Sequence, residues 1–260
     1  SLDHEAAQLR AGVRRIIKRE FASMAEIETF RLEGWTVTLA EGEYGHATST
    51  DVVVGHGKAQ TAFIGRHADV SRALRLETQE RHAKGQDRRE AMAEFGQLLG
   101  YPACCTQAYL EQAEQSESAS FARLLHNTEG KTFPRLNNLF VLRHQLISHF
   151  PCDLSCAKSA AVGDLGLQAL ASEDANLATA LSALLAAPIT VWDRFRFVID
   201  PSPWGRLFAT DLDHTPRVRG HGPLQDFMAS YPEVEQPGTR LQFDSERNEV
   251  VDDISPIGAD

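Results

Sequence analysis

Apolar residues recur at steps of three and four near the start of the chain. Leu9, Val13, Ile16, Ile17 and Phe21 follow this spacing within residues 4–32. The spacing predicts one amphipathic helix, which Gly34 ends. The basic residues between Arg10 and Arg19 are then expected on the solvated face of that helix.

The pattern changes after Gly34. Three short segments are rich in β-branched residues. Apolar residues in them either alternate with polar ones or follow one another directly, as they do in strands. They are WTVTLA (35–40), DVVVG (51–55) and AQTAFIG (59–65).

Helical patterns return in the middle of the chain. Gly100 is a natural helix end, and Pro102 a natural start for the helix that follows. An alanine-rich stretch after Phe150-Pro151 predicts one long helix, or a pair broken near Gly163 to Gly166 or near Ser172. The predicted helices are 67–84, 88–99, one from about 102, shorter ones at 118–127 and 136–148, and 155–187.

β patterns resume after Pro188. Residues 189–200 and 205–212 predict two strands joined by the PSPWG turn, and 239–244 with 248–253 predict a final hairpin. The whole chain, 1–260, is therefore expected to be a single α+β domain. Its subregions are a helix with small β segments (1–85), a helical core that carries the cysteines (86–187) and β hairpins (188–260).

The net charge and the hydropathy of the chain indicate which classes of binding partner are not expected. The formal net charge of −10 disfavours nucleic acid, because phosphate contacts need a basic surface. No apolar run approaches the roughly 18 residues of a membrane helix, and the N-terminus lacks a hydrophobic signal core. These features predict a cytoplasmic protein that acts on a small molecule, with no nucleic-acid or membrane partner.

The four cysteines lie in two short elements, GYPACC (100–105) and HFPCDLSC (149–156). A disulfide framework is not expected in a cytosolic chain of this size. In both elements a proline precedes the cysteines, so both clusters are predicted at helix N-termini. Unpaired N–H groups there stabilise thiolates, the form that binds metal.

The spacing favours three cysteine ligands around a shared centre. Cys152 and Cys156 are four residues apart and can face one way on a helix. Cys104 and Cys105 point about 100° apart on a helix, so only one of them, Cys105 or else Cys104, is expected to join. Three thiolates leave an open position, which suits a [4Fe–4S] cluster whose free iron binds substrate.

Several further interpretations of the cysteines are compatible with the same pattern. Structural zinc prefers four closed ligands, with Cys104 or His149 completing the set. Copper binding and a Cys152–Cys156 redox dithiol would also use these thiols. In the plainest interpretation, the cysteines are small buried residues of the core.

The two elements also resemble a known but uncharacterised family. FGQLLGYPACC and NNLFVLRHQLISHFPCDLSC, together about residues 95–160, are similar to a prokaryotic domain of unknown function. Its members carry a G-Y/I-P-x-C-C element and a later H-x-P-C-S-x-x-C element, and Asp153 stands where serine is expected. The resemblance implies that Cys104, Cys105, Cys152 and Cys156 belong to one site, with His149 as a neighbour.

Together these patterns predict an iron–sulfur enzyme of the lyase or sulfur-transfer type, with non-redox or sulfur-handling chemistry. Cys105, Cys152 and Cys156 are the expected ligands, and His149 is the candidate acid or base. Cys104 is a spare thiol or an alternative ligand. The competing predictions are a zinc-stapled, non-catalytic module that binds a partner, and a thiol/disulfide redox protein.

Overall fold

The structure is a computed structural model, and it confirms the α+β class. Predictions for 51–55, 138–144 and 248–253, and nearly all of 118–127, lie outside the residues that it describes. The described residues are 4–20, 23–43, 58–111, 123–124, 128, 132–137, 145–187, 189–191, 197–202, 205–210, 217–220 and 239–241.

The prediction of one helix over 4–32 is wrong. The segment forms helix α1 (His4–Arg10), strand β1 (Ile16–Glu20) and helix α2 (Met24–Leu32). Gly12 has a φ of 73°, a left-handed conformation that follows the end of α1. Ser23 and Glu26 then form a capping box that begins α2. Gly34, with a φ of 88°, follows the end of α2 as predicted.

The first sheet is antiparallel, with strand β3 (Lys58–Gly65) between β1 and β2 (Thr36–Glu43). The strands predicted at 35–40 and 59–65 are therefore confirmed. Ile16 pairs with Gly65 and Ile17 with Ile64, and both β1 isoleucines are fully buried. A strand that is covered on both faces buries consecutive residues, which explains why Ile16 and Ile17 are both apolar.

Three helices follow the sheet, namely α3 (His67–His82), α4 (Gly85–Leu98) and α5 (Ala103–Leu110). The predicted helix end is confirmed at Gly100, which has a φ of 80°. One face of α3 and α4 covers the sheet. The buried residues at this contact are Ile16, Phe63, Val70, Ala73, Leu76, Phe95, Leu98 and Leu99.

The alanine-rich stretch forms a pair of helices, α6 (Ala157–Glu173) and α7 (Ala175–Ala186). They are separated at Asp174, close to Ser172, where the Asp174 carboxylate accepts a hydrogen bond from the Leu177 N–H at 2.9 Å. Gly163 and Gly166 do not break α6. They lie inside it, and each permits a close approach, by Arg135 and Gln8 respectively.

The second sheet has the order β7-β6-β5-β4-β8 and is antiparallel throughout its described pairs. The strand predicted at 189–200 is divided into β4 (Ile189–Val191) and β5 (Phe197–Ser202). β5 forms the predicted hairpin with β6 (Gly205–Thr210), and β7 (Arg217–Gly220) lies beside β6. β8 (Thr239–Leu241) pairs with β4.

The expectation that the N-terminal basic residues lie in solvent is wrong for Arg14. This side chain is buried between Glu5, at 3.6 Å, and the Gln8 amide. Arg19 lies 3.3 Å from the other Glu5 oxygen, and the Ser148 hydroxyl donates to Glu5. Burial opposes ionisation of Glu5, but the two guanidinium groups lower its pKa below the usual value.

The helices were also compared with the length and hydropathy that a bilayer span requires. None of those in the described ranges meets both requirements.

Candidate metal centre

The four cysteines meet in space. The Cys104, Cys105, Cys152 and Cys156 sulfur atoms all lie within 4.8 Å of one another. Cys105 Sγ and Cys156 Sγ are 3.7 Å apart, Cys104 Sγ and Cys156 Sγ 3.8 Å, and Cys104 Sγ and Cys105 Sγ 3.9 Å. All four are free thiols. The cluster is able to bind a metal ion, and it brings Cys104 as close to Cys156 as Cys105 is.

Helix α5 holds the first two cysteines as the sequence predicts. Pro102 is the N-cap, and its carbonyl accepts hydrogen bonds from the N–H groups of Cys105 and Thr106, both at 2.9 Å. Cys104 and Cys105 therefore lie in the first turn. The structure thus brings both members of the vicinal pair into the cluster.

The prediction that Cys152 begins a helix is wrong. Residues 151–155 form turns, and Cys156 is the N-cap of α6. The Asp153 carboxylate accepts from the Ser155 N–H at 2.7 Å, which folds the chain back on itself. Thus Asp153, which replaces the serine expected from the family resemblance, still serves the turn.

The turn is also fixed from outside. The Leu154 carbonyl accepts a hydrogen bond from the Phe133 N–H at 2.8 Å, and the Leu154 N–H donates to the Thr128 hydroxyl at 3.2 Å. Leu154 is itself buried, together with Leu136 and Ile147, beside the cysteines. Cys152 is thus positioned by a packed turn that no helical pattern could have indicated.

A fully buried serine, Ser159, connects the cysteines to His149. Its Oγ lies 3.0 Å from Cys105 Sγ and 2.8 Å from His149 Nε2. Sequence reasoning missed Ser159, because one serine in an alanine-rich helix carries no signal of its own.

His149 is buried, and its Nε2 is hydrogen-bonded to the Ser159 hydroxyl rather than to a cysteine sulfur. The Tyr101 ring lies 4.9 Å from it, centroid to centroid, and the Tyr101 hydroxyl donates to the Ser148 carbonyl at 3.2 Å. Burial, and then the positive charge of Arg14, lower the pKa of His149 to about 3. The imidazole is therefore neutral at physiological pH, and its role as an acid or base stays a prediction.

Without a metal, one of the four cysteines, Cys156, is favoured as the thiolate. The hydrogen bond from Cys105, followed by those from Ser159, lowers the pKa of Cys156 to about 5. The same Cys105–Cys156 bond and burial raise the pKa of Cys105. Burial and the charge of Cys156 raise the pKa of Cys152 to about 12. A bound cation is what allows several such thiolates to coexist.

Comparison with known proteins gives a match to a family model over part of the chain, and it gives no activity. No curated protein and no solved structure matches the chain. The resemblance predicted from the cysteine elements is confirmed, since residues 69–178 match the family described as "Protein of unknown function (DUF483)".

Proposed function

We propose that Cys104, Cys105, Cys152 and Cys156 together bind one tetrahedral zinc ion, which staples α5 to the 151–156 turn and to α6. The spacing of the sulfur atoms carries this proposal. A Zn–S bond of about 2.3 Å in a tetrahedron requires sulfur atoms about 3.8 Å apart. The three pairs formed by Cys104, Cys105 and Cys156 are 3.7, 3.8 and 3.9 Å apart. The fourth sulfur, that of Cys152, lies within 4.8 Å of these three.

The same spacing weighs against a cubane cluster. Each thiolate of such a cluster binds a different iron, so two thiolates are separated by an iron–iron distance and two outward-pointing Fe–S bonds. Four sulfur atoms within 4.8 Å leave no room for that core unless the turn moves. The three-cysteine [4Fe–4S] enzyme stays a prediction, and metal analysis distinguishes it from the zinc site.

Local electrostatics also support a site for a metal with four thiolates. Such a zinc centre carries a net charge of −2, which needs compensation in a buried place. Cys104 and Cys105 lie in the first turn of α5, and Cys156 caps α6, so two positive helix ends face the centre. The Cys152 N–H, 3.4 Å from Cys105 Sγ, and the Ser159 hydroxyl add donors.

A closed set of four protein ligands leaves no position for substrate at the metal. The site then supplies folding free energy, as structural zinc does, and no Lewis-acid chemistry. This makes the protein a zinc-stapled module rather than an iron–sulfur lyase or sulfur-transfer enzyme. The staple joins segments about 50 residues apart in sequence, so zinc bound to the folded state links parts of the chain that no local structure connects.

Metal analysis of anaerobically purified protein tests the proposal. We expect about one zinc per chain and no acid-labile sulfide. Replacement by Co²⁺ should produce the intense visible bands of tetrahedral cobalt and a thiolate-to-cobalt charge-transfer band. Stoichiometric iron and sulfide with a broad visible band would instead establish the cluster.

Single serine variants separate four ligands from three. Cys104→Ser, Cys105→Ser, Cys152→Ser and Cys156→Ser should each lower zinc affinity and distort the cobalt spectrum. Ala103→Ser is the matched control, since Ala103 is exposed and adjacent to Cys104. If Cys104→Ser kept the zinc affinity and cobalt spectrum of Ala103→Ser, the four-ligand site would be wrong.

A further inference from the structure

The four thiolates of the centre have unequal surroundings. Cys105 is 2% exposed and Cys156 8%, whereas Cys104 and Cys152 are half-buried. Cys105 and Cys156 are termed the inner pair, and Cys104 and Cys152 the outer pair. Small molecules in solution reach the outer pair first.

Hydrogen bonding accentuates the difference. Cys105 is bonded to the Ser159 hydroxyl at 3.0 Å and to the Cys152 N–H at 3.4 Å. Donors to a thiolate withdraw electron density from sulfur and lower its nucleophilicity. Cys105 is therefore both covered and less nucleophilic, and Cys156 is covered.

The outer pair has a different set of neighbours. Cys152 Sγ lies 3.6 Å from the Asp153 carboxylate. Within the described part of the chain, the other hydrogen-bond partners of the two outer sulfur atoms are cysteine sulfurs. The Asp153 carboxylate and the neighbouring thiolates place negative charge beside the outer pair. They donate no hydrogen bond that would disperse the charge of the outer thiolates. Metal-bound thiolates in such surroundings retain their nucleophilicity.

We propose that the outer pair is the site at which small peroxides oxidise this centre. One outer thiolate attacks the peroxide O–O bond and becomes a sulfenic acid, and the other peroxide oxygen leaves as hydroxide. The second outer thiolate attacks the sulfenic sulfur, so the Cys104–Cys152 disulfide forms and a second hydroxide leaves. Two electrons pass from sulfur to peroxide, and zinc departs unchanged as a dication because it has lost two ligands.

Distance alone would predict a different product. Cys105 and Cys156 lie 3.7 Å apart, sulfur to sulfur, whereas the outer pair lies within 4.8 Å. Both pairs must close to about 2.05 Å to form a disulfide. Access and hydrogen bonding, rather than proximity, select the outer pair. Both the zinc-release step and the order of thiol reactivity rest on the proposed zinc site, because the order is argued for thiolates that a metal holds deprotonated.

The test uses the full chain with its zinc content measured beforehand. Hydrogen peroxide is added below stoichiometry, released zinc is read with a colorimetric chelator, and the thiols are mapped by alkylation and tandem mass spectrometry. We expect one zinc released per peroxide consumed, a Cys104–Cys152 disulfide, and Cys105 and Cys156 recovered as free thiols. A Cys105–Cys156 disulfide, or zinc release without change at the outer pair, would overturn the proposal.

Alkylation of the native, unoxidised protein by iodoacetamide provides a second readout that does not depend on zinc release. Cys104 and Cys152 should react at least tenfold faster than Cys105 and Cys156. In Ser159→Ala, Cys105 loses its hydroxyl partner and should react faster, while Cys104 keeps its rate. If the chain binds no zinc, the proposed function fails and the outer-pair proposal fails with it, because the order is argued for thiolates bound to zinc. A zinc-loaded chain that reacts in another order contradicts the outer pair alone. Equal rates for all four thiols would refute it.

Discussion

Ser159 shows how much a single hydroxyl does at this centre. It is fully buried, and it bonds to the inner cysteine Cys105 and to His149. A hydroxyl that contacts a metal ligand orients that ligand and offsets its charge. Removal of the Ser159 hydroxyl should therefore weaken metal binding, although Ser159 is not itself a ligand.

Ser159→Ala should weaken zinc binding by about 10- to 100-fold, as loss of such a partner does in other metal sites. Competition with a chelator of known affinity measures this. Ser172→Ala is the matched control, because Ser172 is on the same helix and, among the described residues, its hydroxyl bonds to the Ala169 carbonyl alone, at 2.7 Å. An unchanged affinity in Ser159→Ala would mean that the hydroxyl has no part in metal binding.

His149 should make stability depend on pH. In the metal-free folded protein its pKa is about 3, against about 6.5 in the unfolded chain, so between pH 6.5 and pH 3 the unfolded state takes up the proton and the folded state does not. The resulting stability is fully present above pH 6.5 and is lost as pH falls toward 3. Between pH 7 and 5 the loss amounts to about 2 kcal/mol.

Denaturant unfolding of the wild type and of His149→Gln at pH 7 and pH 5 checks this. Glutamine keeps a hydrogen-bonding group near Ser159 but does not titrate, so the pH-dependent loss should shrink. His67→Gln is the control, since His67 is exposed, and it should lose as much stability as the wild type. A decline of equal size in His149→Gln would contradict the assignment.

At the residue scale, the sequence predicted the cysteines and missed their surroundings. Cys105 could be placed because Pro102 and Gly100 determine its local structure. Ser159 could not, because its role exists only once residues 145–150 pack against α6. Arg14 was misassigned for a related reason, since a basic residue indicates solvent unless its partner, here Glu5, is known.

At the scale of elements, close approach explains what the glycines of α6 do. A Cβ on Gly166 would lie 2.1 Å from Gln8 Nε2 and 3.2 Å from the Leu146 carbonyl oxygen. That same Gln8 nitrogen donates to the Leu146 carbonyl at 2.9 Å. Gly166 thus allows α1 to be tied to the segment that leads to the cysteines.

Gly166→Ala should destabilise the protein by about 1–3 kcal/mol through overpacking, even though alanine is the better helix former. Thermal or denaturant unfolding measures the loss. Gln168→Ala, an exposed change on the same helix, should alter stability by no more than about 0.5 kcal/mol. A more stable Gly166→Ala protein would show that the close approach of Gln8 to this position does not penalise a side chain there.

Helices whose ends are marked by nearby residues in the sequence were predicted correctly. Elements that depend on contacts with distant parts of the chain were not. The ends of α4 and α2 follow from Gly100 and Gly34. By contrast, the spacing of Leu9, Val13 and Ile16 fits a helix as well as the observed helix, turn and strand. Residues 16–20 form a strand because they pair with β3, which is more than 40 residues away in sequence.

At the scale of the whole molecule, metal removal should act locally. Zinc at a thousand times its dissociation constant stabilises a protein by about 4 kcal/mol. The stapled segments, α5, the 151–156 turn and the start of α6, should lose hydrogen-exchange protection first when a chelator is added. Strand β3, the centre of the first sheet, should keep its protection.

Hydrogen exchange with and without chelator, followed by mass spectrometry, measures this difference. Readdition of zinc should restore protection in the stapled segments, which serves as the control for irreversible damage. Equal loss in β3 and in α5 would mean that the ion stabilises the fold as one unit. No loss anywhere would contradict a structural role for the metal.

Helix α1 lies outside the stretch that matches the family, yet it completes that stretch physically. Ala7 is buried against Leu146 and Ala169, and Ile16 and Phe63 close the apolar face of α3 and α4. A polypeptide limited to residues 69–178 would expose both surfaces to water, so we expect that it does not fold by itself. In this chain the matched stretch therefore does not include all of the residues that cover its apolar surfaces.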